Sequence, residues 1–276
     1  MMGDAQAFRY DGKHALVVGG ATGMGAAAAH AVAALGAEVT VLDRVPVDYA
    51  VAKSIEVDLL DRASIDAALD QVPGPVHAVF AAAGIGGGPG TMRVNFISHR
   101  HIVDRLIADG RLGAGSAICL ISSVAGLGWT NHLPALVDFL ATESYEEAEA
   151  WVASHADTDT YMFSKQAVNT WVARAAYTYA SKGIRINAIC PGPTETPLAK
   201  ANSWGGFDQQ YREAVGAPPL QPEQMGNVMA FLNSDAAIGL SGESVLVDYG
   251  HVKASIAGSW EAGKPTIDFL MSETKV

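Results

Sequence analysis

Short apolar runs alternate with helical segments along most of this chain. The runs are four to seven residues long and several are apolar throughout, which is typical of strands buried on both faces. Strands that alternate with helices are joined by right-handed crossovers, so they form a parallel sheet with helices on both sides. We therefore predict an α/β fold with a doubly wound parallel sheet. The predicted strands are His14–Val18, Glu38–Leu42, Ser54–Val57, Val76–Ala82, Ala117–Ile121, Arg185–Ile189 and Ser244–Val247, and the predicted helices are Met24–Leu35, Ser64–Leu69, Val94–Ala108, Tyr161–Ala180 and Pro222–Leu232.

Length and charge limit the class of protein. The 276 residues fit a single domain, because single cores stop growing near about 250 residues. With 18 basic and 29 acidic residues the net charge is −11, and no Lys/Arg cluster occurs, so we expect no nucleic-acid partner. The longest apolar stretch is shorter than the ~20 residues of a membrane span, and the first ten residues lack the apolar core of a signal peptide. We expect no membrane partner and a cytoplasmic location.

Two parts of the chain depart from the alternation. Ser144 opens the sequence Ser-Tyr-Glu-Glu, a capping-box pattern that predicts an extra helix over Ser144–Val152, inside an insertion at about residues 133–158. This helix either has a role of its own or only packs on the surface. Residues 251–276 have weak periodicity, and we expect a tail or an arm that contacts a partner.

A glycine-rich turn, Gly19-Gly20-Ala21-Thr22-Gly23-Met24-Gly25, links the first strand to an Ala-rich helix. Glycines allow a pyrophosphate to approach the backbone closely, and the amino end of the helix offers free N–H groups and a favourable dipole. The turn and its position, between the first strand and the first helix of a Rossmann-type sheet, predict a dinucleotide site. The turn residues assigned to it are Gly19, Thr22, Gly23, Met24 and Gly25.

Asp43 follows the second strand, 18 residues after Gly25. A carboxylate there accepts hydrogen bonds from an adenosine ribose and repels a 2′-phosphate, which favours NAD over NADP. Arg44 beside it would soften this preference. At the end of the third strand, Asp58 and its neighbour Leu59 are further candidates for the adenine side.

Tyr161 and Lys165 are four residues apart and therefore lie on one face of a helix. An ammonium beside a phenol stabilises the phenolate, so we expect Lys165 to lower the pKa of Tyr161 from about 10. Tyrosine then becomes a usable general acid and base. We predict no metal site, because His99 and His101, the only close pair of histidines, are two residues apart and point to different helix faces.

These features together resemble the short-chain dehydrogenase/reductase family, over a core of about residues 12–250. The glycine turn, Ser122-Ser123 at a strand end, the Tyr161/Lys165 pair and the run Arg185–Gly192 occur in family order and approximate spacing. The resemblance implies that Tyr161 exchanges a proton with the substrate oxygen, that Ser123 polarises the carbonyl, and that Lys165 holds the nicotinamide ribose and tunes Tyr161. It implies that Asn95 maintains a water-mediated proton path. Further cofactor contacts that it implies are Ala83, Gly84, Pro191, Gly192, Thr194 and Thr196.

The sequence also departs from the family pattern. Ala81-Ala82-Ala83-Gly84 stands where the family commonly has Asn-Asn-Ala-Gly, so a polar contact is missing there. The interval from Gly84 to Asn95 is short, and the interval from Ser123 to Tyr161 is long. These intervals resemble the bacterial 3α-hydroxysteroid dehydrogenase/carbonyl reductase branch, in which the insertion implies a homo-oligomer that is a dimer ahead of a tetramer. Aryl-alcohol (coniferyl-type) dehydrogenases are similar, and the sequence does not separate the two.

The substrate region implied by the family is Leu198–Val215, which carries Trp204, Gly205, Gly206, Phe207 and Tyr211. Its apolar content suits a hydrophobic alcohol or ketone, although the aromatic side chains would equally serve for packing. We expect an NAD-dependent oxidoreductase that interconverts a secondary alcohol and a ketone on a cyclic or steroid-like substrate. The alternatives are an aryl-alcohol dehydrogenase and a catalytically idle NAD-binding sensor.

Overall fold

All strands of the sheet are parallel, so their carboxyl ends lie along one edge, where the predicted glycine turn and Ser123 also lie. The structure, a computed structural model, describes residues 5–202 and 206–272. Over these residues the strands are β1 His14–Val18, β2 Glu38–Asp43, β3 Lys53–Glu56, β4 Ala78–Ala81, β5 Ala117–Ile121, β6 Arg185–Pro191 and β7 Ser244–Val247. Their order is β3-β2-β1-β4-β5-β6-β7, and every pair is parallel. This confirms the predicted doubly wound sheet.

Helices cover both faces of the sheet. They are α1 Gly23–Ala34, α2 Arg62–Leu69, α3 Ser98–Ala108, α4 Leu133–Leu140, α5 Tyr145–Ser154, α6 Tyr161–Ala180, α7 Pro197–Ala201, α8 Gln209–Val215, α9 Pro222–Asn233, α10 His251–Ile256 and α11 Lys264–Leu270. Alternate residues of β1 face opposite cores: Leu16 and Val18 join the core with α3 and α6, and Ala15 and Val17 join the core with α1 and α9. Because both faces are buried, the strands are continuous apolar runs.

The strand order changes direction between β1 and β4. After β1 the chain moves outward to β2 and β3, and it then returns to place β4 on the other side of β1. At such a switch point the loops that follow the two neighbouring strands diverge and leave a crevice. The glycine turn follows β1 and Gly84 follows β4, so both border this crevice.

Local capping explains several differences from the predicted bounds. α2 begins at Arg62, two residues early, because the Asp61 side chain accepts a hydrogen bond from the Ala63 N–H at 2.9 Å. The helix predicted from Val94 begins with a π-helical turn, Arg93–Ile97, before α3 continues it. Such turns are rare and frequently mark functional sites.

The insertion forms two helices, α4 and α5, where one was predicted. Ser144 caps α5 by accepting a hydrogen bond from the Glu147 N–H at 3.1 Å. The Glu147 carboxylate accepts from the Glu143 N–H and not from Ser144, so only half of the capping box forms as expected. Ion pairs join Glu146 to Arg62 and Glu149 to Arg93, which orient α5 against α2 and the π-helical turn.

Residues 251–272 fold back onto the rest of the chain. α10 and α11 pack against the 3-10 segment Val124–His132, where Val252, Ile267 and Leu270 surround Val124. These residues are therefore part of the packed domain and do not form a separate tail, and their contact with a partner stays a prediction. In the described part of the chain, no helix has both the length and the apolarity needed to cross a bilayer.

Gly226 lies where α9 packs closely against α1. A Cβ at this position would lie 2.5 Å from the Ala27 carbonyl carbon, so the two helix backbones approach closely. In an exposed helix, Gly→Ala ordinarily raises the free energy of unfolding by up to about 1 kcal/mol. At Gly226 the new methyl group would clash with the backbone of α1, so we expect Gly226→Ala to lower the free energy of unfolding by about 1–2 kcal/mol. Urea unfolding measures this. Asn227→Ala, on the exposed side of α9, is the control; equal or higher stability of Gly226→Ala would contradict the close packing.

Candidate active site

Two cavities meet at the carboxyl edge of the sheet. The larger has a volume of about 820 Å³ and the smaller about 370 Å³. Both are lined by Met24, Ala82, Gly84, Thr196 and Leu198, so they are parts of one continuous crevice. A long ligand can therefore extend from one cavity into the other.

The glycine turn forms one wall of the smaller cavity. Gly19 has φ +82°, and a Cβ on it would lie 2.3 Å from the Ala83 nitrogen. A Cβ on Gly25 would lie 2.0 Å from the Gly19 oxygen. Thr22 precedes α1 without capping it through its side chain, which leaves the first N–H groups of the helix open toward this cavity. The turn thus offers the donors that a pyrophosphate requires.

Asp43 lines the smaller cavity, as do Arg44, Asp58 and Leu59. Its Oδ2 accepts a hydrogen bond from the Ala21 N–H at 2.8 Å, and its Oδ1 accepts from the Val45 N–H at 3.1 Å. The carboxylate therefore also braces the glycine turn.

Ser123, Tyr161 and Lys165 come together in the larger cavity. Ser123 follows β5, and its side chain hydrogen-bonds the Tyr161 side chain. Tyr161 is the first residue of α6, which Thr160 caps by accepting from the Phe163 N–H at 3.2 Å. Lys165, one turn along, has its Nζ 5.5 Å from the centre of the Tyr161 ring. The same Nζ donates to the Ile121 carbonyl at 2.7 Å.

Burial decides the ionisation of this cluster. Burial of the Lys165 ammonium lowers its pKa to about 8, and partial burial of the Tyr161 phenol raises its pKa above the ordinary value. The hydrogen bond from Ser123 opposes the rise in the Tyr161 pKa. The expected lowering of the Tyr161 pKa is therefore wrong, because desolvation of the phenolate is the largest effect on it and raises the pKa.

Asn95 lies in the π-helical turn and is almost fully buried. Its Oδ1 accepts from the Ile85 N–H at 2.8 Å, and its Nδ2 donates to the Ile85 carbonyl at 3.0 Å and to Ser164 Oγ at 3.1 Å. The side chain thus joins the segment after β4 to the helix that carries Tyr161 and Lys165.

Residues after β6 line the remainder of the crevice. Pro191, Gly192, Thr194 and Thr196 face the larger cavity, and Thr196 caps α7 by accepting from the Ala199 N–H. Of the predicted substrate region, Leu198, Gly206 and Phe207 line this cavity. Trp204 and Gly205 lie outside the described residues. Tyr211 is a packing residue, because its ring stacks on His251 and its hydroxyl donates to the Tyr249 carbonyl at 3.0 Å.

The last helix supplies a wall that the sequence analysis missed. Pro265, Thr266, Phe269 and Leu270 of α11 line the larger cavity. Pro265 and Phe269, and likewise Thr266 and Leu270, are four residues apart and share a helix face. This four-residue spacing could have predicted a helix with one apolar face. It could not have predicted that this face covers the cavity, because that depends on where the helix packs.

Groups that would bind a metal do not converge in the described residues, where no three His, Cys, Asp or Glu side chains form a cluster. His99 contacts Ala83 and His101 contacts Asp66, so the two histidines point to different sides of α3. Cys119 and Cys190 are free and buried.

Comparison with known proteins agrees with this geometry. A model described as "Enoyl-(Acyl carrier protein) reductase" matches residues 138–251, and one described as "NAD dependent epimerase/dehydratase family" matches residues 15–194. The 3-alpha-hydroxysteroid dehydrogenase/carbonyl reductase of Comamonas testosteroni is 30% identical over 256 residues, 85% of this chain and 95% of that protein. The coniferyl-alcohol dehydrogenase of Pseudomonas sp. (strain HR199 / DSM 7063) is 26% identical over 86% of this chain and 96% of its own length.

A solved structure is similar as well. The 3-alpha-hydroxysteroid dehydrogenase from Pseudomonas sp. B-0831, complexed with NADH, superposes with a TM-score of 0.69 at 25% identity, over 90% of this chain and 99% of that one. Sheet order, glycine turn and full-length relatives all agree. The chain therefore belongs to the short-chain dehydrogenase/reductase family and is an oxidoreductase of the alcohol dehydrogenase type.

Proposed function

We propose that this protein is an NAD-dependent enzyme that interconverts a secondary alcohol and a ketone on a bulky hydrophobic, cyclic or steroid-like substrate. The observation that carries the proposal is the Ser123, Tyr161 and Lys165 cluster in an apolar cavity of about 820 Å³ that continues into the glycine-turn cavity. A dinucleotide and a substrate need this arrangement, because the reacting carbon must lie between the nicotinamide and the proton donor.

The smaller cavity fits the cofactor. The open amino end of α1 suits the diphosphate, and Asp43 suits a ribose with free hydroxyls. Asp58 and Leu59 would lie along the adenine, and Ala83 and Gly84 would lie along the middle of the dinucleotide. On the nicotinamide side, the contacts would come from Pro191, Gly192, Thr194, Thr196, Tyr161 and Lys165. The NADH in the related Pseudomonas structure supports this choice of cofactor.

The residues of the larger cavity manage the charge on one substrate oxygen. When bound, the nicotinamide ring donates or accepts the hydride. Tyr161 gives its proton to the ketone oxygen, or takes one from the alcohol, and Ser123 donates a hydrogen bond that polarises the carbonyl. Lys165 is positioned by the Ile121 carbonyl, and its cation stabilises the phenolate that remains. Asn95 would hold the water-mediated path that resupplies the proton.

The substrate class follows from the walls of the larger cavity. Val124, Leu198, Phe207, Phe269 and Leu270 present apolar surface to it, which favours a bulky apolar ring system. An aryl alcohol fits the same walls, and the coniferyl-alcohol dehydrogenase relative supports that alternative.

A homo-oligomer is proposed as well, as a dimer ahead of a tetramer. α4 packs against α6, and α5 packs against the π-helical turn, so the insertion covers part of this side of the sheet. A subunit contact through the part of α6 that α4 covers would be blocked by the insertion. This supports the smaller assembly.

The proton-transfer role of Tyr161 is tested by Tyr161→Phe. We expect the change to reduce turnover at least about 100-fold, because the general acid is lost, and to leave NADH binding nearly intact. A panel of steroid, aryl and alicyclic alcohols with NAD, followed by NADH absorbance, measures turnover and identifies the substrate. The matched control is Tyr177→Phe, since Tyr177 lies on the same helix and is 87% exposed. Unchanged turnover in Tyr161→Phe, or no activity of the wild type on any compound, would contradict the proposal.

The cofactor preference is tested by Asp43→Ala. Loss of the carboxylate removes a hydrogen-bond acceptor for the ribose and the repulsion of a 2′-phosphate, so NAD affinity should fall about tenfold more than NADP affinity. Titration with each cofactor measures the ratio. Asp43→Asn retains an acceptor for the Ala21 N–H, and Asp48→Ala changes an exposed carboxylate nearby. Faster turnover of the wild type with NADPH than with NADH would show that the role assigned to Asp43 is wrong.

The pH profile of alcohol oxidation tests the Ser123 contact. Oxidation needs the Tyr161 phenolate, so its rate should rise as the pH increases through the Tyr161 pKa. Ser123→Ala removes a hydrogen bond that lowers this pKa, so the rise should move to higher pH, and turnover should fall by about 100-fold or more. Ser123→Thr keeps the hydroxyl and should move the profile back. An identical profile in Ser123→Ala would contradict the contact.

A further inference from the structure

The segment after β4 lies at the centre of the crevice but has no polar side chain of its own. Residues 81–83 are all alanine, and the paired residues of β4 end at Ala81. The Ala83 carbonyl therefore lies beyond the ladder that satisfies strand carbonyls. A buried carbonyl without a partner is costly, so another group has to donate to it.

His99 supplies that donor. Its Nε2 lies 3.0 Å from the Ala83 carbonyl oxygen, and the residue is 3% exposed. A carbonyl oxygen only accepts, so the Nε2 carries the proton and the Nδ1 holds a lone pair. No hydrogen-bond partner for this Nδ1 is found among residues 5–202 and 206–272. Burial lowers the pKa of His99 to about 4, so the ring is neutral at physiological pH and keeps this tautomer.

Ala83 in turn determines where the glycine turn can lie. Its N–H donates to the Val18 carbonyl at 2.8 Å, at the end of β1. A Cβ on Gly19 would lie within 2.6 Å of the nitrogen, Cα and Cβ of Ala83, so the two segments are in direct contact. A shift of Ala83 therefore shifts or loosens the turn.

Asn95 holds the next part of the same segment. It binds both backbone groups of Ile85 and lies one helical turn before His99. Gly84, between the two held residues, lines both cavities. Two side chains from the same helical stretch thus hold the backbone on either side of Gly84, where the two cavities meet.

We propose that His99 is a positioning residue of the dinucleotide site: its Nε2–H holds the Ala83 carbonyl and keeps the end of β4 against the glycine turn. The proposal rests on the proposed function insofar as the ligand is a dinucleotide. An apolar side chain would fill the same space, but it would leave the Ala83 carbonyl without this donor. A histidine with a bare, unpartnered Nδ1 is a poor choice for packing alone, which favours a role for the Nε2 donor.

The test compares three variants of His99 in the full chain. Leucine removes the donor, glutamine places an amide nitrogen near the position of Nε2, and asparagine has a similar amide that is one methylene shorter. We expect His99→Leu and His99→Asn to raise the Kd for NADH about tenfold, and His99→Gln to stay within about threefold of the wild type. NADH fluorescence measures the Kd without turnover. His101→Leu is the control, because His101 lies on the same helix but contacts Asp66.

Hydrogen exchange in the ligand-free protein provides a second readout. Amides of residues 82–86 should exchange faster in His99→Leu and at the wild-type rate in His99→Gln. A packing role alone would slow or speed exchange throughout α3 equally in both variants and would leave the Kd for NADH unchanged.

The outcomes separate this inference from the proposed function. An unchanged Kd in His99→Leu, or an equal loss in the glutamine and asparagine variants, would overturn the role of His99; the second comparison decides if the leucine variant does not fold. If the wild type binds neither NADH nor NADPH, the proposed function is wrong. Hydrogen exchange at residues 82–86 then decides whether His99 holds this segment. A wild-type exchange rate at these residues in His99→Asn would overturn the role of His99.

Discussion

The contact between the glycine turn and the end of β4 is the constraint on which the site depends. Gly19 and Ala83 touch backbone to backbone, which is possible only because Gly19 has no Cβ and adopts a positive φ. This contact holds the loops after β1 and β4 together at their base, while the crevice opens above them. The amino end of α1, the carboxylate of Asp43 and the Gly84 junction are all placed relative to this contact.

Burial governs the ionisation of Tyr161 and Lys165 in the larger cavity. Burial makes the Tyr161 phenolate and the Lys165 ammonium both harder to form, as the directions of their pKa shifts indicate. The Tyr161 phenolate and the Lys165 ammonium therefore both depend on neighbouring groups for their stabilisation. Ser123 and the Ile121 carbonyl are the fixed partners that the chain itself provides. A substrate oxygen placed beside Ser123 and Tyr161 would meet hydroxyl donors that the fold has already positioned.

The sheet, and the set of residues that converge in the crevice, could be predicted from the sequence because their signals are local. Continuous apolar runs indicated buried strands, and the glycine turn and the Tyr161/Lys165 spacing each lie within a few residues. The features that were missed depend on contacts between distant parts of the chain. Asn95 binding Ile85 and the α11 wall need the tertiary fold, and the pKa of Tyr161 depends on burial, which spacing does not reveal.

The two cavities draw on different parts of the chain. The smaller is built mainly from residues 19–94, with Thr196, Pro197 and Leu198 closing one side. The larger needs α11, so its outer wall forms only when the last helix docks on the segment after β5. Substitutions on the cavity face of α11 can therefore reshape the larger cavity while leaving the smaller one intact, which makes the two parts of the crevice structurally separable within one domain.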